Sequence, residues 1–353
     1  MEMADSVRPV AGVSLDAGAA EPHELSCHIG EQVLLPGVQD AAAILGTADF
    51  LLLAGGAGMS ADSGLFTFAS MTDKLGSLLG QGVTYDQAAG VDMMAKNPSL
   101  FYGFWFASAS SYAKAEPHEG YAILRRWREL VEKRRSLAVP PGPASTFSLT
   151  SNVDGFLRRS GVSLPNGLAQ VHGCVEKWQC GGVPSGKRFP LFARGRCSDE
   201  LFDPPTSLGF DPDAMRYDGE APRCPRCGDG VLRPHVYLFG DGNKFVDAQQ
   251  ETGTQDFSRW CEEVRALLSS DASLRLAIVE IGCGLRVPNI RKRCEEFLTS
   301  CPREQARLIR INPEAEATDQ QFHAPPSVVV KAGARVALKS IHMQLERSRT
   351  SAQ

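Results

Sequence analysis

"LLLAGGAGMSADSGL" (51–65) joins an unbroken apolar run to a glycine turn and a helix-like stretch. Apolar residues without alternation are the pattern of a strand buried on both faces. Gly56-Ala57-Gly58-Met59-Ser60-Ala61 then follows the G-x-G-x-x-G/A pattern of a dinucleotide-binding turn. Glycine lets the backbone approach a pyrophosphate, and the helix start that follows offers N–H groups to its charge. A tight turn without a ligand is the alternative, and the strand in front of it favours the nucleotide. A dehydrogenase of this type needs a second strand with an acidic residue about 20 residues on. "KLGSLLGQGVTYDQAAG" (74–90) reads as helix and loop instead. No Lys-Ser or Lys-Thr closes the turn, so a P-loop is excluded. The turn points to a nucleotide but not to hydride transfer.

Outward from this turn, "DFLLLAG" (49–55), "STFSLTSN" (145–152), "LRLAIVEIG" (274–282), "ARLIRIN" (306–312) and "SVVVKAG" (327–333) read as buried strands. Helical patterns lie between them at 38–46, 118–135, 154–161, 288–300 and 334–347; in the second, Tyr121, Leu124, Trp127 and Val131 recur at helical spacing. Buried strands alternating with helices predict an α/β fold, a Rossmann-like doubly wound parallel sheet with ligands at the carboxyl ends of its strands. Two stretches interrupt the alternation. Residues 66–116 carry the aromatic "NPSLFYGFWFASASSY", and residues 173–233 are rich in cysteine and proline. Both read as insertions that build a small zinc-binding and helical second domain. Residues 1–35 lack periodicity and read as a flexible lead-in.

Composition narrows the function. With 353 residues, 43% hydrophobic, 22% charged and a net charge of −4, the chain is that of a soluble globular protein with no electrostatic signal for nucleic acid. The basic run "WRELVEKRRS" (127–136) reads as a solvated helix face. The longest apolar run (50–59) is too short and too glycine-broken to span a bilayer, and the N-terminus shows no secretory pattern. Ten cysteines without a signal sequence suggest thiols or metal ligands and a cytoplasmic or nuclear setting.

Cys224-Pro-Arg-Cys227-Gly is a knuckle of two thiolates, and tetrahedral zinc needs four ligands. In "QCGGVP" Val183 stands where a second Cys-x-x-Cys would place its partner, and Cys197 in "RGRCSDELF" is the nearest substitute. The expected zinc set is therefore Cys180, Cys197, Cys224 and Cys227; the alternative is an absent or three-coordinate metal with Cys197 as a surface thiol. Cys283, Cys294 and Cys301 read as core, while Cys261 and Cys27 have no evident partner. "QVHGCVEKWQC" (170–180) leaves open, by itself, a metal ligand, a reactive thiol, a general base or plain core.

Taken together and in order, these features resemble the sirtuin family. "GAGMSADSGL" (56–65) is similar to its GAGxSxxSGI, "TSNVDG" (150–155) to TQNIDG and "VHGC" (171–174) to the HG motif. "CPRCGDGVLRPHVYLFGD" (224–241) is similar to a zinc knuckle followed by LRPxVVxFGE, "GCGLRVPN" (282–289) to GTSLxVxP, and "RINPE" (310–314) to INxE. The variants "TSNVDG", "PHEGYAILRRW" and "FGD" are most similar to a branch that includes macrodomain-linked relatives. The resemblance covers roughly 38–340 and implies a catalytic domain over 36–348. Its large part would be 36–65, 117–172 and 234–348, and its small part 66–116 and 173–233.

The resemblance implies an NAD-dependent protein-lysine deacylase that consumes NAD and gives nicotinamide, deacylated lysine and O-acyl-ADP-ribose. His172 would be the general base and Asn152 its catalytic neighbour, orienting the nicotinamide. Gly56, Ala57, Gly58, Ser60, Asp62, Phe68, Ser151, Asp154, Gly282, Cys283, Asn312 and Glu314 would meet the dinucleotide. Val236, Leu238, Phe239 and Gly240 would receive an acyl-lysine protein or peptide as an added strand. Cys174 would be a bystander. The departures surround the cofactor. Ala69 replaces an arginine, Ser151 a glutamine, and Asp241 shortens the glutamate of FGE. They keep open an ADP-ribosyltransferase or NAD-cleaving enzyme, and a non-catalytic NAD sensor.

Overall fold

The computed structural model describes residues 35–66, 70, 71, 73, 83–136, 142–185, 192–205, 209–241, 253–314 and 322–351. Apart from Leu35, the expected lead-in lies outside them. The chain runs through α1 (Val38–Thr47), β1 (Phe50–Gly55) and α2 (Ala57–Ala61), then α3 (Tyr85–Ala88), α4 (Val91–Lys96), α5 (Pro98–Lys114) and α6 (Glu119–Ser136). Next come β2 (Thr146–Thr150), α7 (Phe156–Arg159), β3 (Leu168–Gln170) and β4 (Gly173–Cys180). The short strands β5 (Val183–Pro184), β6 (Phe192–Arg194), β7 (Leu201–Phe202), β8 (Phe210–Asp211) and β9 (Arg216–Tyr217) precede β10 (Leu232–Val236). Then follow α8 (Thr254–Ser270), β11 (Leu276–Ile281), α9 (Asn289–Ser300), β12 (Ala306–Ile311), β13 (Val328–Val330) and α10 (Ala334–Thr350).

The main sheet has the order β13-β12-β11-β1-β2-β3, and every neighbouring pair is parallel. All of β1 is buried. Its Leu51 and Leu53 pack with Val38, Leu45, Trp127 and Leu338 from α1, α6 and α10. Phe50, Leu52 and Ala54 point the other way, into Trp260, Val264 and Phe297 from α8 and α9. Helices on both faces explain why the strand shows no alternation. From β1 the chain winds outward to β3 on one side, and from β11 to β13 on the other. The loops after β1 and β11 therefore part, leaving a crevice at the carboxyl ends of the strands.

A second core gathers residues from both interruptions of the α/β pattern: Ala88, Phe101, Tyr102 and Phe106 meet Trp178, Met215, Tyr217 and Val231. Trp178 lies on β4, the centre of the antiparallel sheet β10-β4-β7, and stacks on Phe106 at 5.4 Å and Tyr102 at 6.4 Å. Helix α5 is buried on nearly every side from Leu100 to Phe106. It approaches closely only because residue 103 is glycine: a Cβ there would lie 2.2 Å from the Met215 carbonyl oxygen. No helix among the described residues is long and apolar enough to cross a membrane.

Candidate active site

A cavity of about 370 Å³ opens at the strand ends where the winding reverses. Gly56, Ala57 and Ser60 line it from beyond β1, Ser151, Asn152 and Asp154 from beyond β2, and His172 from beyond β3. Cys283 and Asn289 come from beyond β11, and Val236, Leu238, Phe239 and Gly240 from the end of β10. Tyr85, Trp105 and Tyr112 form the opposite wall.

The glycine turn serves packing as much as exposure. Gly56 N–H donates to the Ile281 carbonyl at 2.9 Å and Gly58 N–H to that of Gly282 at 3.0 Å. Two of the N–H groups expected to face a phosphate are thus used by the β11 loop. A Cβ on Gly58 would lie 2.8 Å from Gly282 Cα. Gly282 itself has φ +62°, and a Cβ there would lie 2.4 Å from the Gly58 carbonyl carbon. Gly58 and Gly282 stand behind the cavity wall and let the two loops touch.

Ser60 is a hub. Its hydroxyl donates to Asp154 Oδ2 at 2.6 Å and lies 2.9 Å from the Tyr121 hydroxyl. Asn152 Nδ2 donates to the Gly56 carbonyl at 2.9 Å and to Ser60 Oγ at 3.0 Å. With both amide protons held, Asn152 keeps its Oδ1 as an acceptor for a ligand. Burial raises the Asp154 pKa, opposed by the Ser60 hydroxyl and the Phe156 N–H.

His172 follows β3 and sits half-buried beside Tyr237, 6.4 Å between ring centroids. Its Nε2 faces Asn289 Nδ2 at 3.0 Å. Burial lowers the imidazole pKa, partly offset by a hydrogen bond to the Ser151 backbone and reinforced by Arg293. At neutral pH the ring is uncharged and able to take a proton. Cys174, two residues on, is buried and its thiol is pushed up to about 11. It stays protonated and carries no nucleophile.

The segment after β10 is clamped from beneath. Asp241, 2% exposed, receives Arg233 Nη1 and Nη2 at 2.6 Å each and the Leu238 N–H at 2.8 Å. The shortened acid therefore faces inward and fixes the turn. Val91 N–H donates to the Phe239 carbonyl at 3.0 Å, so α4 already occupies one acceptor of this edge.

The remaining sequence expectations fall beside the cavity or beyond the described residues. Asp62 Oδ2 receives the Arg335 N–H at 2.8 Å, at the start of α10. Asn312 Nδ2 donates to the Cys283 carbonyl at 3.1 Å and its Oδ1 receives the Glu314 N–H at 3.0 Å, so it holds the β11 loop, while Glu314 is exposed. Phe68 and Ala69 lie outside the described residues. The sequence motifs do not single out Tyr112, Tyr121 or Asn289 for the site. Tyr112 and Tyr121 sit within helical patterns that read as core, and Asn289 closes the quoted "GCGLRVPN" with no role assigned.

Cys180, Cys197, Cys224 and Cys227 converge, with all four Sγ atoms within 4.8 Å of one another. Cys180 ends β4; Cys197 follows β6, and its N–H lies 3.5 Å from Cys180 Sγ. The Gly230 N–H donates to Cys227 Sγ at 3.3 Å. It is the first cause that brings this thiol down to about 7. Four soft donors at this spacing, with a backbone N–H turned to sulfur, fit tetrahedral zinc.

A doubly wound sheet, a cavity at its switch point with an imidazole in its wall, and a four-cysteine cluster on an inserted ribbon define an α/β protein with a crevice at its strand ends and a candidate metal site. The chain belongs to the Sir2 family: the model described as "Sir2 family" matches residues 56–259. It is 29% identical over 212 residues to the "NAD-dependent protein deacylase sirtuin-5, mitochondrial" of Canis lupus familiaris, covering 57% of this chain and 59% of that one. It is also 29% identical over 186 residues to an "NAD-dependent protein deacetylase" of Halalkalibacterium halodurans, covering 53% and 59%. The matches thus span about 59% of the length of these relatives. Among solved structures, a Sir2 homologue in complex with NAD aligns with a TM-score of 0.56 at 15% identity over 88% of this chain and 94% of that one. A second Sir2 enzyme aligns at 0.55 with 20% identity, over 89% and 99%. These structures share the fold.

Proposed function

We propose that the chain is an NAD-dependent protein-lysine deacylase whose catalytic domain occupies 36–348. Residues 66–116 and 173–233 would form its smaller part. The observation that carries the reading is the single cavity that gathers the β1 turn, Asn152, His172 and the segment after β10. NAD would supply the ribose carbon that accepts the acyl oxygen when nicotinamide leaves. Gly56, Ala57 and Ser60 bind it at the switch point, and Asn152 Oδ1 accepts from its carboxamide. His172, uncharged at neutral pH, removes a proton from a ribose hydroxyl. Val236, Leu238 and Gly240 receive the acyl-lysine segment. The four cysteines would hold zinc, which supplies the fixed core of the ribbon and no chemistry at the cavity.

A second reading, NAD cleavage or ADP-ribosyl transfer, is favoured by the Val91–Phe239 hydrogen bond, which narrows the edge open to an added peptide strand. Mass spectrometry of the products from NAD, with and without an acetyl-lysine peptide, decides between them. Peptide-dependent O-acetyl-ADP-ribose is expected. Nicotinamide and ADP-ribose without need of the peptide select the second reading, and unchanged NAD a binding module.

A further inference from the structure

Asn289 is the first residue of α9, preceded by Pro288, and lines the cavity. Its place is set by the residues behind it: Ile290 is 1% exposed, and Arg291 Nε donates to the Cys283 carbonyl at 2.9 Å. From this anchored turn the Asn289 amide reaches His172 Nε2 at 3.0 Å. The imidazole also meets the Ser151 backbone, a contact that favours the charged ring. An amide Nδ2 can only donate, so Nε2 accepts from Asn289 with its lone pair and the neutral ring carries its proton on Nδ1. Arg293 on α9 acts on this ring by its charge and Tyr237 beyond β10 lies beside it, while Arg286, Asp154, Cys283, Tyr85 and Tyr112 line the same cavity.

We propose that Asn289 is a positioning residue for His172, holding the Nε2 lone pair toward the cavity until a reacting hydroxyl displaces the amide. The proposal rests on His172 acting as the general base. An amide suits this role because its N–H donates to the Nε2 lone pair of the neutral ring and offers the imidazolium no negative charge. It thus orients the neutral ring and sheds no proton of its own. A carboxylate there would favour the charged ring and spoil the base; an aliphatic side chain would leave the ring to rotate.

The ring itself supplies the readout. The His172 titration is followed by NMR in the free, full-length protein, its signal assigned by its loss in His172→Gln. In parallel, the acid limb of kcat/KM is measured for wild type, Asn289→Ala and Asn289→Asp. An N–H donor to Nε2 favours the neutral ring, so its removal raises the midpoint. Asn289→Ala is expected to raise it by about 0.5–1 pH unit. Asn289→Asp raises it further, and the acid limb moves with the NMR midpoint. Midpoints within about 0.2 unit of wild type in both variants overturn the proposal, since a merely structural asparagine would change stability without moving the ring. If the NMR midpoints shift while wild type and variants alike show no turnover, the placement of Asn289 stands and the deacylase reading is what fails.

Discussion

A single hydroxyl holds the floor of the cavity together. Ser60, 3% exposed, donates to Asp154 and accepts from Asn152, and the Tyr121 hydroxyl completes its shell. Its removal leaves a buried carboxylate oxygen and a phenol without their partner, a loss of about 1–3 kcal/mol. Ser60→Ala is therefore expected to lower the unfolding free energy in urea by that amount and to weaken NAD binding, because the Asn152 amide keeps only the Gly56 carbonyl of its two anchors. Unaltered stability would show that water replaces the hydroxyl at no cost. His172 makes the complementary case for chemistry. Burial places its pKa below the ordinary 6.5, and a general base fails as pH falls through that value. The acid limb of kcat/KM is expected below pH 6.5, and His172→Ala is expected to cost at least about 100-fold in deacylation. An acid limb above 6.5 would contradict the desolvated ring. Of this site, the backbone turn, Asn152 and His172 were legible in the sequence because short motifs place them. Tyr121, Tyr112 and Asn289 were not: Tyr121 recurs at the spacing of its buried helix neighbours, Tyr112 ends an aromatic stretch read only as an insertion, and Asn289 ends a motif that assigns it no role, while the partners lie 61 residues away for Tyr121 and 117 for Asn289.

Among elements, the inserted ribbon depends most on a single feature. Strands β5 to β9 are two or three residues long, too short to show any hydrophobic period, and only the cysteine and proline content gave the ribbon away. Cys180 and Cys224, both 1% exposed, also belong to the second core beside Trp178 and Tyr217. A metal held by the four cysteines would thus join the ribbon to α5, and its loss is expected to loosen both. The purified protein should contain about one equivalent of zinc, and a chelator should lower the melting temperature with loss of near-ultraviolet dichroism from the Trp178 cluster. Less than about half an equivalent in the untreated protein sinks the site. Cys197→Ser separates the two arrangements that the sequence leaves open, since a mere surface thiol can be replaced without releasing metal. Helix α5 was harder to read than its aromatic content suggests. It is buried around most of its circumference, so it has no polar stripe to betray its orientation.

At the scale of the whole molecule, strand order decides where the chemistry sits. Five of the strands in the main sheet were legible as apolar runs, and their parallel, doubly wound order followed from the helices between them. What stayed hidden are the charges inside it. Arg310 on β12, fully buried, pairs with Glu280 on β11 at 2.8 Å and with Glu295 on α9 at 2.8 Å. In sequence, Arg310 stands 30 residues from Glu280 and 15 from Glu295, and only the parallel register brings them together. Glu295 in turn receives the N–H groups of Phe322 and His323, so this buried cluster carries the half-sheet that presents Gly282. The two halves of the sheet meet through backbone at Gly58 and Gly282. At Gly282 the chain has φ +62°, where an L side chain is strained, and an added Cβ would stand 2.4 Å from Met59 N. Gly282→Ala must therefore push the β11 loop away from the β1 turn. Such overpacking is expected to cost about 1–3 kcal/mol of stability. If the cavity binds NAD across both loops, separating them should weaken that binding at least about tenfold, seen as a smaller rise in melting temperature at a fixed NAD concentration. Far-ultraviolet dichroism should be unchanged, because neither glycine lies inside a strand. A variant that is destabilised yet keeps the full NAD-dependent rise would mean that the dinucleotide rests on the β1 turn alone, and that the contact across the switch point serves the fold and not the ligand.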